Sequence, residues 1–341
     1  MKPEVSEQIL IEELFKKSVE NKKVECGNLT SIERLTGDAS TRKYYRVFCS
    51  EQSYVVCLDN PTEVNKNPFV QIQGFLYEKG IRVPNIYDRN VEKGYLLEED
   101  LGDETLLKVL GIIKDPAQEL QVYKTIIDQL VKMHSLTKDE LSGTLIETQA
   151  FDYDKYAFEI DFSLKYFLRK FLNVDDESIY LELKRSFDDI CKELSSYPMV
   201  CTHRDFHSRN VMVKNGENII IDFQDARMGI PQYDLVSLLE DCYYELLNEN
   251  KKELIDYYFN QMDMTGLGQG SKDHFKEVYD LMTLQRVFKA IGSFSYIFEH
   301  RKDYRYVKYI GFAMEKIRTV MLKYDRFTPL RRSLFDIYYE S

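Results

Sequence analysis

The chain has 341 residues, 44% of them hydrophobic, and carries a formal charge of −11. That is enough apolar material for about two domains. It contains no run of about 18 apolar residues that would mark a membrane span, and its negative charge argues against nucleic-acid backbones and anionic membranes as partners. The six cysteines, Cys26, Cys49, Cys57, Cys191, Cys201 and Cys242, form no CxxC pair. They read as reduced, buried thiols of a cytoplasmic protein rather than as zinc ligands or a disulfide framework.

Residues 1–30 are charged throughout and lack an apolar core with a small-residue cleavage site, so they read as a helix or arm and not as a targeting segment. From 31 to 100 the texture is that of a small mixed lobe. "SIERLTG", "KYYRVFC", "SYVVCLD", "VPNIYD" and "GYLLEED" are β-rich runs divided by turn-prone residues. "PFVQIQGFLYEKG" between them has helical spacing and ends at Gly80. From 101 to 341 long helical patterns dominate, "ELQVYKTIIDQLVKMHSL" and "EVYDLMTLQRVFKAIGSFSYIF" among them, broken by one β-rich stretch from Val211 to Asp222. The expected architecture is therefore α+β, with a small mixed-sheet N-terminal lobe, a mainly helical C-terminal lobe, and "YLLEEDLGD" at the junction.

The chemistry concentrates in "CTHRDFHSRNVMVKNGENIIIDFQD". "VMV" and "IIID" are strand runs, and Asn215-Gly216 between them is a strong hairpin signal. A two-residue loop puts Asn210 opposite Ile221 and a three-residue loop puts it opposite Asp222. Either register brings Asn210 and Asp222 to one end of the ribbon. An amide oxygen and a carboxylate there are hard ligands suited to Mg²⁺. Asp205 lies on the loop entering the first strand, near the metal without ligating it. The arrangement His203-Arg204-Asp205, then Asn210, then Asp222-Phe223 is the pattern of a kinase catalytic loop and metal-binding aspartate. In it Asp205 accepts or orients the proton of an attacking hydroxyl, and Asn210 and Asp222 hold the Mg²⁺ that bridges the phosphates of ATP. The competing reading is a structural salt-bridge cluster.

The second histidine of "HRDFHSRN" and the sequel "IDFQDARMGIPQYDLVSLLEDCYYE" resemble aminoglycoside phosphotransferase-type small-molecule kinases rather than protein kinases. "LTGDASTRKYYRV", "VVCLDNP", "YLLEEDLGD" and "LQRVFKAIGSF" are similar to stretches of the bacterial anomeric kinases of N-acetylmuramate and N-acetylglucosamine in cell-wall recycling. The resemblance runs over about residues 31–300 in the same order. It implies a two-lobed protein-kinase-like fold with ATP in the cleft. It also implies transfer of the γ-phosphate to the C1 hydroxyl of an amino sugar by a cytoplasmic monomer whose partner is a small molecule.

The resemblance further implies that Gly37, Ser40 and Thr41 take the place of the nucleotide-covering loop, where backbone N–H groups and hydroxyls meet phosphate oxygens. An ordinary hairpin loop is the alternative. The third strand, "SYVVCLDNP", has no lysine for the phosphates. Arg42 or Arg46 of the preceding strand would share a face if that strand is extended, and either supplies the charge. Backbone groups around Glu98–Asp100 would hold adenine. Arg204 and His203 complete the catalytic set with Asp205. For the acceptor, Gln224, Asp225, Asp234, His207 and Arg286 are the candidates, with Asp241 seven residues beyond Asp234. Asp234 reads equally as a brace for the catalytic loop. Arg286 reads equally as one half of an internal ion pair or as the partner of a substrate carboxylate. His134 reads as a satisfied core histidine. Two further functions stay open: a kinase for an aminoglycoside, choline or a hydroxy amino acid, to which the acids of 222–241 would suit a cationic acceptor, and a weakly active nucleotide-binding regulator.

Overall fold

The computed structural model describes residues 4–35, 42–50, 52–63, 66–266 and 270–340. The chain divides into two units, Met1–Glu104 with Met212–Gln224, and Thr105–Val211 with Asp225–Ser341.

The first unit is built on a five-stranded sheet in the order β1-β2-β3-β5-β4. Its strands are β1 (Leu29–Arg34), β2 (Lys43–Cys49), β3 (Ser53–Leu58), β4 (Ile86–Asn90) and β5 (Tyr95–Glu99). All four pairings are antiparallel. The preceding helix α1 (Val5–Glu20) closes its first turn with a capping box between Glu4 and Glu7. It buries Ile11, Leu14 and Phe15, spaced to share one helical face. These pack against Tyr45, Val47, Tyr54, Val56, Tyr95 and Leu97, the alternate residues of β2, β3 and β5. Residues before 30 therefore complete the core of this unit.

Alternation sends Tyr44, Arg46, Val55, Cys57, Leu96 and Glu98 to the other face of the sheet, where the register sets Val55 against Glu98 and Cys57 against Leu96. The helix α2 (Pro68–Glu78) starts at Asn67, whose side chain accepts from Val70 N–H at 3.1 Å, with Pro68 at the first position.

Residues 212–224 bring a hairpin to this unit. β7 (Val211–Lys214) pairs with β8 (Glu217–Ile220), leaving Asn215-Gly216 as a two-residue turn. Both turn residues have positive φ, 52° and 79°, as a type I′ turn requires. The hairpin is tied in by Val213 N–H to Glu104 C=O and Ile220 N–H to Arg82 C=O, each 2.8 Å, and by Met212 and Ile219 against Leu101.

One expectation fails here. Cys26 and Cys49 are joined in a disulfide, Cα atoms 5.5 Å apart. The pairing is invisible to residue spacing because the antiparallel β1–β2 register creates it. Leu29 lies opposite Cys49, so the segment just before β1 meets the end of β2. Cys57, Cys191, Cys201 and Cys242 are free and buried, as expected.

The second unit is mainly helical: α3 (Leu106–Ile112), α4 (Pro116–His134), α5 (Lys138–Leu141), α6 (Tyr153–Ser163) running on into a π-helical segment (Leu164–Phe171), α7 (Glu177–Ser195), α8 (Gln232–Leu239), α9 (Asn248–Met264), α10 (Lys272–Arg301), α11 (Val307–Met321) and α12 (Thr328–Glu340). The 30-residue α10 is buried along most of its middle and packs on α6, α8 and α11. Two three-residue strands, β6 (Val200–Thr202) and β9 (Arg227–Gly229), pair as Val200–Gly229, Cys201–Met228 and Thr202–Arg227. Gly229 is needed there: a Cβ would lie 2.8 Å from the Phe151 ring and 2.9 Å from Thr202 Oγ1. Among the described residues, no helix is long and apolar enough to cross a membrane.

Candidate active site

Strand β6 ends at Thr202 and delivers the polar loop 203–210. Two acids of the α8 region shape it. Asp234, fully buried, accepts from His203 N–H through Oδ2 at 2.6 Å and from Arg204 N–H through Oδ1 at 2.9 Å. Asp241 accepts from Ser208 N–H at 2.9 Å and Tyr243 N–H at 2.8 Å. Of the two readings open for Asp234, the structure supports the brace. The contact matters because Arg204 has φ 85°, a conformation that an L residue keeps only when its surroundings impose it. His203 is buried, and its Nδ1 accepts from Asp205 N–H at 3.3 Å. His134 is the satisfied core histidine expected, between the Tyr258 hydroxyl at 2.6 Å and Asp234 Oδ2 at 3.2 Å.

This frame leaves the Asp205 carboxylate at the surface of the loop, 26% exposed. Arg286 Nη2 and Lys289 Nζ, one turn apart on α10, both lie 3.3 Å from its Oδ1. Arg204 Nε lies 3.8 Å from its Oδ2. Burial alone would raise the Asp205 pKa, but Lys289, Arg286 and Arg204 outweigh it and hold the carboxyl well below the usual range. Burial pulls the Lys289 ammonium down despite Asp205, and Arg286 adds to that. Arg286 is further fixed by Nε donating to Ser237 Oγ at 2.9 Å. The internal ion pair expected for Arg286 is thus present, with Asp205 as its partner. Lys289 escaped the sequence reading. The available signal was a second cation one turn from Arg286 in an otherwise apolar helix.

Asp225 accepts from Arg204 Nη1 at 2.6 Å. His207 lies edge-on to Tyr243, and burial lowers its pKa. The acids considered for a cationic acceptor are therefore engaged: Asp234 and Asp241 by backbone N–H groups, and Asp225 by Arg204.

For a divalent cation, the donor set is an amide and a carboxylate. Asn210 gives its Nδ2 to Asp205 C=O at 3.0 Å, which fixes the amide and turns Oδ1 the other way. Asp222, at φ 64°, accepts from Gln224 Nε2 at 2.7 Å. Among the described residues no three His, Cys, Asp or Glu side chains gather as a metal centre. An amide oxygen and a carboxylate are each the kind of hard donor that Mg²⁺ takes alongside waters and phosphate oxygens.

By the other face of the first unit's sheet, Arg42 stands beside Asp59, Nε to Oδ2 2.9 Å, with its guanidinium 5.2 Å from the Phe69 ring centre of α2. Arg46 is held by Asp100, at 2.8 Å, and Asp103, at 3.0 Å. The nucleotide groups proposed at the junction are partly spent: Glu99 N–H goes to Asn85 C=O at 2.9 Å, and Lys214 Nζ donates to Asp100 C=O at 2.7 Å. Gly37, Ser40 and Thr41 lie outside the described residues.

Glu98 is 5% exposed, and its Oε1 is buried without a hydrogen-bond partner among the described residues. Burial pushes its carboxyl up to about 8, against the pull of Arg42. The folded state therefore prefers the protonated form. The resulting stabilisation is complete below the unfolded value and is lost as pH rises towards 8. Glu98→Gln should gain on the parent steadily between pH 5 and 8 and reach about 2–4 kcal/mol above that. Urea midpoints across that range check it, and a pH-independent difference would refute it.

Residues 31–265 match the model of the phosphotransferase enzyme family. The N-acetylmuramate/N-acetylglucosamine kinase of Pseudomonas aeruginosa is 30% identical over 274 residues, 80% of this chain and 78% of that protein. Among solved structures, a choline kinase from Streptococcus pneumoniae superposes with TM-score 0.59 at 17% identity, covering 91% of this chain and 99% of that one. An ADP-bound aminoglycoside phosphotransferase gives 0.56 at 16%, covering 89% and 97%. These neighbours share the α+β protein-kinase-like fold expected from the sequence. With its family match, its kinase relative and its loop built around Asp205, this chain belongs to the phosphotransferase enzyme family.

Proposed function

We propose that the protein transfers the γ-phosphate of ATP to the anomeric hydroxyl of N-acetylmuramate, N-acetylglucosamine or both, and that it works in the cytoplasm, where the Cys26–Cys49 bond is an exception to the usual state of thiols. The observation that carries the reading is Asp205, half-buried on a braced loop and kept ionised by three cations. The names of its relatives supply the acceptor.

In this reading the acceptor O–H donates to an Asp205 oxygen, which aligns the attacking oxygen with the γ-phosphorus. The new O–P bond forms, the bond to the bridging oxygen of ADP breaks, and the proton passes to Asp205. So acidic a carboxyl takes that proton late, once bond formation has made the hydroxyl acidic. That order suits a loose transition state in which positioning counts most. Asn210 and Asp222 are the residues to hold Mg²⁺, which would neutralise phosphate charge. Arg42 fills the role of the absent third-strand lysine. Arg46 instead ties Asp100 and Asp103 to the sheet. Arg42→Ala should raise the KM for ATP at least about tenfold, as expected for loss of a charge-assisted contact, and Arg46→Ala by less. Steady-state titration with ATP separates the two.

The functional test is product analysis by mass spectrometry with ATP and N-acetylmuramate, N-acetylglucosamine, choline and kanamycin. A 1-phosphate of either amino sugar is expected. Product from choline or kanamycin alone would sink the sugar assignment, and Mg-ATP binding with no product from any acceptor would favour the regulator.

A further inference from the structure

Around Asp205 the charge is lopsided. The groups that interact with one another there are Lys155, Arg204, Arg227, Arg286 and Lys289 against Asp205, Asp225, Glu159 and Asp241, five cations to four carboxylates. Asp234 faces backbone N–H groups and His134, and Glu240 faces Lys251 and Lys316. Arg286 and Lys289 share one oxygen of Asp205, so each lowers the other's welcome there. Arg286 has a second anchor in Ser237, whereas the hydrogen bond described for the Lys289 ammonium goes to Asp205, with Glu159 attracting it from further off. Its side chain is 16% exposed, and of the two cations it is the one with no second hydrogen bond to give up on leaving Asp205.

Resting on the kinase reading above, we infer that Lys289 is the acceptor-selecting residue: it leaves Asp205 to bind a carboxylate on the incoming sugar, so the enzyme prefers an acidic sugar to its neutral counterpart. N-Acetylmuramate and N-acetylglucosamine differ by the lactyl ether that carries such a carboxylate. One carboxylate entering this cluster reduces the cationic excess. It also leaves Asp205 Oδ1 with Arg286 as its one remaining cation, which opens room there for the sugar hydroxyl, so recognition and alignment of the acceptor occur together. A neutral sugar gives Lys289 nothing to leave Asp205 for, so the ammonium stays on the oxygen that the acceptor needs and the neutral sugar is disfavoured.

The test is kcat/KM for both sugars at saturating Mg-ATP with the parent enzyme, Lys289→Gln and Lys289→Arg. The parent should favour the acidic sugar. Lys289→Gln should cut the acid-to-neutral ratio at least about tenfold, while Lys289→Arg keeps it within about threefold because the charge is retained. Equal loss on both sugars would place Lys289 on the phosphoryl group and overturn the inference. So would an unchanged ratio, a parent enzyme without preference, or an arginine variant no better than the glutamine one. A parent enzyme that phosphorylates neither sugar refutes the kinase reading itself, a separate result.

Discussion

Asp205→Asn is expected to lower kcat by about 10²–10⁴-fold for every acceptor the enzyme uses, the usual cost of a lost general base. The substitution keeps size and one accepting oxygen, so the loop need not move: its backbone is held by Asp234 and Asp241 rather than by the Asp205 side chain. What disappears is the negative charge between Arg204, Arg286 and Lys289. Two effects follow, with opposite signs. The acceptor hydroxyl loses the group that aligns it and takes its proton, so the chemical step slows. The three cations lose their common counter-ion, so an anionic ligand is attracted at least as well as before. The KM for ATP should therefore stay level or fall while kcat collapses. Steady-state kinetics with ATP as the varied substrate reads both. Turnover within about threefold of the parent on every acceptor would remove Asp205 from the reaction.

That constellation was readable in part from the amino-acid sequence, for a physical reason. His203, Arg204, Asp205, Asn210 and Asp222 lie within one loop and one hairpin, so short-range turn chemistry at Asn215-Gly216 constrains them. The β1–β5 texture was readable because alternation on a sheet with one packed face is a local signal. The missed features depend on long-range pairing. Strands β6 and β9 are three residues each, too short for alternation to register, yet they fix where the loop starts. Cys26 meets Cys49 only after β1 pairs with β2. Lys289 reaches Asp205 across 84 positions of sequence, and no local pattern in α10 names that partner. Arg42, just before β2, and Arg46 within it share one parity of the alternation. What separates them is Asp59, opposite the end of β2, and Asp100, beyond β5.

Asp234→Asn tests the frame instead of the chemistry, and its signature differs. The carboxylate accepts three N–H groups in a fully buried site: His203 N, Arg204 N and His134 Nε2. An amide has one accepting end. In either orientation its NH₂ faces a backbone N–H of the loop, so one buried donor goes unsatisfied and two donors oppose each other. Removing one partner from such a buried charged network costs about 3–5 kcal/mol, far more than Asp205→Asn, whose side chain is partly in water. Activity falls as well, through geometry. With Oδ at the His203 side, Arg204 N–H loses the contact that keeps its positive φ, and Asp205 follows directly in the chain. Denaturant midpoints should drop clearly further for Asp234→Asn than for Asp205→Asn. At a low temperature where the Asp234 variant is fully folded, its kcat should still be reduced at least about tenfold, one decade for each 1.36 kcal/mol of misalignment. A variant that regains parental kcat once folded would make Asp234 a stabilising residue alone, and an unchanged midpoint would dissolve the brace.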